Sequence, residues 1–97
     1  MNWVWTMNYE VKISDKALKT LKQMDKHQSK IIIGWINKNL SGCVDPRSQG
    51  KALVGDKKGY WRYRIGSYRL IAEIDDGQVR INIINVGHRR EIYKNPE

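Results

Sequence analysis

The chain of 97 residues contains a single cysteine, Cys43, and only two histidines, His27 and His88. One cysteine cannot form an intramolecular disulfide, and nothing in the composition indicates an oxidising compartment. The two histidines lack the spacing of a zinc site, so we expect no metal ion and no other cofactor. Cys43 is interpreted as an ordinary loop or core thiol rather than a reactive one.

Long apolar runs are also absent. The first six residues, MNWVWT, are short and carry no basic segment, so they are typical neither of a signal peptide nor of a membrane span. We expect a soluble cytoplasmic protein that consists of a single domain at residues 7–94 and an N-terminal extension at residues 1–6.

Acidic residues are scarce. Ten aspartates and glutamates stand against 18 lysines and arginines, which gives a formal net charge of +8. A charge of this size on so small a protein favours a polyanionic partner or an acidic protein partner. The hydrophobic content of 40% and the periodic patterns described below argue against a disordered chain.

The stretch from Tyr60 to Gly87 has the pattern of three consecutive antiparallel strands joined by two tight turns. Gly66-Ser67 fits a two-residue hairpin loop, and Asp76-Gly77 is a strong short hairpin signal. A further short strand is expected from Lys51 to Val54. The segment after Gly87 is interpreted as either a helical turn or an extended tail.

Side chains of a strand alternate between the two faces of a sheet, so the turns fix which residues share a face. One face is apolar and is expected to be core: Trp61, Tyr63, Ile65, Tyr68, Leu70, Ala72, Ile74, Val79, Ile81 and Ile83. The opposite face is basic: Arg62, Arg64, Arg69, Ile71, Glu73, Arg80, Asn82 and Ile84. We expect Glu73 opposite Arg80, which leaves the other end of this face positive.

The first turn places Arg64 directly opposite Arg69. Like charges in that position destabilise a sheet, unless an anion normally lies between them, and the guanidinium fork suits phosphate especially well. The alternative is a solvated strand face that merely keeps the protein soluble. We favour the anion because no acidic residue lies between Asp56 and Glu73.

The N-terminal half has the pattern of one strand followed by two helices. Apolar and polar residues alternate at positions 9–13, and either Ser14 or Asp15 can cap the helix that follows. A second helix is expected from about His27 to Leu40, with Gly42 as its C-cap. The apolar residues at helical spacing are Ala17, Leu18, Leu21 and Met24 in the first helix and Ile32, Ile33, Ile36 and Leu40 in the second.

Two strings, GYWRYRIGSYRLIAEID at residues 59–75 and VGHRREIY at residues 86–93, resemble the RelE/ParE superfamily of bacterial toxins, and the RelE-like branch in particular. The resemblance implies an α+β fold in which two N-terminal helices pack on a four- to five-stranded, mainly antiparallel sheet. It also implies a ribosome-dependent endoribonuclease that cleaves messenger RNA and is held silent by a cognate acidic RelB-like antitoxin. It implies no contact with a membrane.

The resemblance also implies a set of catalytic residues. The basic pair on one strand falls on Arg62 and Arg64, and the arginine of the next strand falls on Arg69. Near the C-terminus an arginine falls on Arg89 and the tyrosine that closes the site on Tyr93. Metal-free cleavage by the 2′-hydroxyl needs a proton acceptor, a proton donor and stabilisation of charge on the phosphorane, and arginines can supply the last of these.

Arginine stays protonated in proteins and is therefore a poor general base. Imidazole exchanges protons near neutral pH, so His88 is a candidate acid or base, with a structural role at the end of a strand as the alternative. Further contacts with RNA are expected from four basic residues: Lys51, Lys57, Lys58 and Arg90. Two other functions stay open, a ParE-like inhibitor of DNA gyrase and an inactive module that binds RNA or the antitoxin.

Overall fold

The structure, a computed structural model, describes residues 8–53 and 59–88. Its elements are β1 (Glu10–Ile13), α1 (Asp15–Gln23), α2 (Lys26–Asn39), β2 (Lys51–Ala52), β3 (Tyr60–Ile65), β4 (Tyr68–Asp75) and β5 (Arg80–His88). The strands form one sheet in the order β1-β5-β4-β3-β2, in which β1 is parallel to β5 and every other pair is antiparallel. The expected α+β class and its two-helix, mainly antiparallel architecture are confirmed.

Several expectations fall outside the described residues. These are the domain boundaries at positions 7 and 94, the extension at residues 1–6, the last residue of the expected short strand and the segment after His88. Neither helix in residues 8–53 and 59–88 is long and apolar enough to cross a membrane.

Both helices begin at capping residues. The Ser14 side chain accepts a hydrogen bond from the backbone N–H of Ala17 at 3.1 Å, and Asp25 accepts one from Gln28 at 3.3 Å. These bonds satisfy N–H groups that have no partner within the helix. At the other end, α2 is capped by Leu40 rather than by Gly42. Gly42 lies two residues later with a φ of +77°, where it turns the chain towards β1.

Each helix buries a narrower stripe of apolar side chains than the helical spacing of its apolar residues suggests. The core joins that stripe to one face of the sheet: Ala17, Leu21, Ile32, Ile36, Leu40, Tyr63, Ile65, Leu70, Ala72, Ile81, Ile83 and Val86. Leu18 and Ile33, which we expected in the stripes, are 38% and 39% exposed. Each directly follows a buried residue, and one step along an α-helix turns the side chain by about 100° away from the sheet.

The first hairpin has the predicted register. Ile65 pairs with Tyr68 across the loop, and Arg64 pairs with Arg69. The next pair continues the core face, with Tyr63 opposite Leu70.

The second hairpin differs from the prediction by two residues. Glu73 pairs with Asn82, not with Arg80, because the connection is a four-residue loop at positions 76–79 rather than a two-residue turn. Val79 in this loop adopts a φ of +54°. A shift of two residues keeps the paired side chains on their faces, so Ile81 and Ile83 remain core residues, whereas Val79, which was expected on the core face, lies in the loop. Arg80 lies instead 3.7 Å from the carboxylate of Glu10.

A β-bulge in β5 was not predicted. Ile71 pairs with Asn85 while its neighbour Ala72 pairs with Ile83, so Ile84 has no partner on β4. One extra residue reverses the alternation for the rest of the strand. Val86 therefore enters the core.

Candidate nucleic-acid interface

The face of the sheet that neither α1 nor α2 covers carries the predicted basic residues. Arg62 lies between Lys51 on β2 and Ile71 on β4, and the next pair along the strands is Arg64 opposite Arg69. Neighbouring strands lie about 4.8 Å apart and alternate residues about 7 Å apart along a strand, so these four cations form one patch. We call Lys51, Arg62, Arg64 and Arg69 the basic cluster.

Charge on this face changes sign along the strands. Beyond the basic cluster the same face carries Glu73 and then Asp75, which pairs with Arg80. The described residues contain two ion pairs, Arg47 with Asp76 and Arg80 with Glu10, and neither includes a member of the basic cluster. Among residues 8–53 and 59–88, no carboxylate therefore forms an ion pair with Lys51, Arg64 or Arg69.

Arg69 is the most unusual member of the cluster, since it is only 3% exposed. Its Nη1 donates to the carbonyl oxygen of Tyr68 at 3.1 Å and to that of Gly66 at 3.4 Å. Its Nε is buried without a hydrogen-bond partner among the described residues. A buried cation with an unused donor is costly unless an anion completes its shell.

Two aromatic side chains of β3 anchor the strand that carries Arg62 and Arg64. Tyr63 is fully buried and its hydroxyl donates to the carbonyl oxygen of Pro46 at 2.6 Å. Trp61 donates from Nε1 to the carbonyl oxygen of Gln49, also at 2.6 Å. Because side chains alternate along a strand, the two anchors hold one side of β3 while its arginines project from the other.

The loop between α2 and β2, which accepts the hydrogen bonds from Trp61 and Tyr63, lies so close to β3 that it requires a glycine. Gly50 has a φ of +80°, and a Cβ atom there would lie 2.8 Å from Trp61 Nε1 and 2.9 Å from the Tyr63 ring, and in conflict with the carbonyl oxygen of Arg62. The close approach of loop and strand therefore requires a residue without a side chain. Burial raises the pKa of the Tyr63 hydroxyl, which keeps this group a hydrogen-bond donor.

The loop is also fastened from outside the sheet. Arg47 donates to both carboxylate oxygens of Asp76 at 3.1 Å, and the Tyr9 hydroxyl donates to Asp76 Oδ1 at 2.7 Å. The hydrogen bonds from Arg47 and Tyr9 lower the pKa of the Asp76 carboxyl. The bond to Asp76 in turn raises the pKa of Tyr9. These hydrogen bonds therefore join the residue before β1, the loop between α2 and β2, and the β4–β5 connection.

His88 does not lie with the arginines. It pairs with Tyr68 on the helix-covered side of the sheet, where the two rings meet edge to face with centroids 5.6 Å apart. The bulge at Ile84 causes this placement, since uninterrupted alternation would turn His88 towards the basic cluster.

The predicted site residues thus divide into three groups. The structure brings Arg62, Arg64, Arg69 and Lys51 together and separates His88 from them. The remaining predicted residues lie outside the described residues: Lys57, Lys58, Arg89, Arg90 and Tyr93.

Sequence reasoning missed the residues that position the cluster. The partners of Trp61 and Tyr63 are backbone carbonyl groups 12 and 17 residues away, and neither periodicity nor a motif signals such a contact. Gly50 gave the one available signal, because a glycine that directly precedes a strand can mark a close backbone approach.

Comparison of the sequence with known proteins identifies the family of this chain. The family model described as the ParE toxin of type II toxin-antitoxin systems, parDE, matches residues 11–93. The curated Toxin RelE of Mycobacterium tuberculosis is 30% identical over 86 residues, which span 89% of this chain and 87% of that protein. Toxin RelG of the same organism is 30% identical over 88 residues, or 91% of this chain and 99% of that protein.

Solved structures show the same architecture. A chain of the toxin-antitoxin complex RelBE2 from Mycobacterium tuberculosis superposes with a TM-score of 0.77 and 28% identity, covering 86% of this chain and 93% of that one. A mutant of the E. coli toxin RelE in the free state shares the fold with a TM-score of 0.71 and 23% identity over 91% of this chain and 93% of its own. The present chain therefore belongs to the ParE toxin family of type II toxin-antitoxin systems, within the RelE/ParE superfamily.

Proposed function

We propose that this toxin is a ribosome-dependent endoribonuclease that cleaves messenger RNA by attack of a 2′-hydroxyl on the adjacent phosphate, which breaks the P–O5′ bond and releases a 5′-hydroxyl that takes up a proton. The observation that carries the proposal is the pairing of Arg64 with the buried Arg69, whose Nε has no partner among the described residues. A phosphodiester entering the basic cluster supplies the anion that this arrangement lacks. As its negative charge grows in the phosphorane, the attraction grows, and that difference is what accelerates the reaction.

The basic cluster accounts for charge stabilisation and not for proton transfer. A guanidinium group is a poor general base, so we assign no arginine of the cluster to accept the proton of the 2′-hydroxyl. We assign Arg62, Arg64 and Arg69 to the phosphate, together with Arg89, and we assign Tyr93 to stacking on an unpaired base. Lys51, Lys57, Lys58 and Arg90 contact the RNA backbone in this proposal. For His88, the contact with Tyr68 favours the structural role over the acid-base role.

The proposed partners follow from charge and from the toxin family. An acidic RelB-like antitoxin neutralises the chain's net charge of +8 and blocks the basic cluster. Several neighbours of known structure are RelB–RelE or RelBE complexes, which supports such a partner. The toxin then acts in the cytoplasm, on messenger RNA bound to the ribosome.

Primer extension on a translated messenger RNA after brief induction tests the proposal. We expect cuts at codon-related positions that disappear when an upstream nonsense codon stops translation of the same transcript. Cuts that persist downstream of the nonsense codon contradict ribosome dependence. Growth arrest with no cut in any transcript contradicts the nuclease itself.

A ParE-like inhibitor of DNA gyrase is the second candidate, and the match to the ParE toxin family model favours it. It predicts gyrase-linked DNA damage without new RNA ends. The third candidate, a module that only binds RNA or the antitoxin, predicts neither lesion. The Arg69→Ala variant separates it from the nuclease, since the nuclease loses toxicity while antitoxin binding is retained.

A further inference from the structure

The face that carries the basic cluster continues into a second group of residues with different chemistry. Tyr60 pairs with Glu73, and Glu73 pairs with Asn82, which forms a row across three strands. Tyr60 lies two residues from Arg62 on β3, so the row is about 7 Å from the nearest cation of the basic cluster. We propose that Tyr60, Glu73 and Asn82 form a base-binding subsite that selects a nucleotide carrying an amino group. This inference rests on the proposed function, because it assigns the nucleotide next to the bound phosphate.

The contacts of Glu73 leave part of its carboxylate available to a ligand. Its side chain is exposed and forms no ion pair with the cations of residues 8–53 and 59–88. Asn82 donates from Nδ2 to Glu73 Oε1 at 3.4 Å, which orients the carboxylate and leaves its second oxygen available. Tyr60 is half-buried, and within the described chain its hydroxyl makes no hydrogen bond.

Charge determines which part of an RNA strand meets this row. A phosphate held by the arginines is attracted, whereas a phosphate placed over Glu73 is repelled by the carboxylate. A strand that extends from the basic cluster across this row therefore presents a base to it. Aromatic rings stack on unpaired bases with little regard to sequence, and Tyr60 supplies such a ring directly opposite the carboxylate.

The carboxylate then discriminates between bases. An ionised carboxylate only accepts hydrogen bonds, so at position 4 of the ring it pairs with the amino group of cytosine and is repelled by the carbonyl group of uracil. These two pyrimidines have nearly the same size, so both fit against Tyr60. The part of a preference for cytosine that is lost in Glu73→Gln therefore reports the hydrogen bond to Glu73.

Binding of short oligo(C) and oligo(U) RNA to the purified toxin tests the subsite without ribosomes. Fluorescence anisotropy at neutral pH and one fixed salt concentration should show that the wild-type protein prefers oligo(C) by about two- to tenfold, the value of one hydrogen bond. In Glu73→Gln the ratio should approach one, because an amide can also donate to O4 of uracil. Tyr60→Ala should weaken both RNAs by a similar factor.

The matched control is Glu10→Gln. Glu10 is another exposed carboxylate near the sheet edge, it lies opposite Arg80, and its substitution changes net charge by the same amount. The substitution should slightly strengthen the binding of both RNAs and leave the ratio of the two affinities at the wild-type value. Equal ratios in wild type and Glu73→Gln overturn the subsite, whatever the affinity.

Cleavage mapping keeps this inference separate from the proposed function. If the oligonucleotide ratio changes as expected and no messenger RNA is cut, the subsite stands and the nuclease proposal fails. If messenger RNA is cut and the ratio is unchanged in Glu73→Gln, the nuclease stands and the subsite fails.

Discussion

Arg64 and Arg69 lie directly opposite each other on β3 and β4, and neither forms an ion pair with a described carboxylate. Like charges in directly opposed positions destabilise a sheet. The pairing therefore lowers stability in the absence of a ligand and creates a site for an anion.

Neutralising one arginine should stabilise the free protein and weaken its response to anions. We expect Arg64→Gln to have a slightly higher melting temperature than wild type in low-phosphate buffer. The gain in the free energy of unfolding should be at most about 0.5 kcal/mol because Arg64 is exposed. Added inorganic phosphate should raise the melting temperature of wild type more than that of Arg64→Gln. Arg80→Gln, at the other end of the face, should respond to phosphate like wild type, and equal responses of all three proteins would contradict the anion site.

Removing the Tyr63 hydroxyl should destabilise the protein. Tyr63→Phe leaves the carbonyl oxygen of Pro46 without its buried donor, so urea unfolding should show a loss of about 1–3 kcal/mol. Burial raises the pKa of the Tyr63 hydroxyl in the folded state, so the stability that the neutral hydroxyl contributes is fully present below the unfolded pKa of about 10 and is lost as the pH rises towards the higher folded-state pKa. Wild type should therefore lose its advantage over Tyr63→Phe in alkaline buffer. A difference that is constant with pH would contradict this role.

Substitution of two different glycines by alanine should have opposite effects on stability. Gly50→Ala places a Cβ against Trp61 and the Tyr63 ring at a φ of +80°, and should destabilise by about 1–3 kcal/mol. Gly34→Ala lies in α2, where no heavy atom is within 4 Å of the added Cβ, and should stabilise by about 0.5–1 kcal/mol. Melting of both variants measures the contrast. A neutral Gly50→Ala would show that the loop does not hold β3 closely.

The contact of His88 with Tyr68 predicts a structural role. His88→Ala should lower the melting temperature, while the pH dependence of messenger RNA cleavage should keep the shape it has in wild type. An acid or base in the reaction would instead remove one limb of a pH profile and leave stability unaffected. The same two measurements on Tyr68→Ala, which removes the other ring of the pair, provide the matched control.

The fold could be predicted wherever one local signal fixed one geometric choice. The two-residue loop at Gly66-Ser67 set the register of β3 and β4, and that register alone brought Arg64 opposite Arg69. The longer loop before Arg80 moved the pairing by an even number of residues, so the faces of β5 from Arg80 to Ile83 were still correct.

The parts that could not be predicted depend on contacts distant in sequence. The bulge at Ile84 has no glycine or proline signal, and its effect is to move His88 to the opposite side of the sheet. Exposure of Leu18 and Ile33 depends on how each helix is rotated against the sheet, which periodicity does not define to within one residue. The anchoring of β3 depends on backbone carbonyl groups of a loop. Every residue has such a group, so the sequence gives no signal of the contact.

The most direct test of the nuclease account uses purified toxin, purified bacterial ribosomes and a defined messenger RNA. Wild type should cut the RNA only when ribosomes are present. Arg69→Lys, which keeps the charge and loses the guanidinium fork, should react more slowly, and Arg69→Ala should lose about 10²–10³-fold in rate. Arg80→Ala, which removes a positive charge from the acidic end of the same face, should cut at nearly the wild-type rate. Cleavage by Arg69→Ala at the wild-type rate, or no cleavage of ribosome-bound RNA by wild type, would contradict the account.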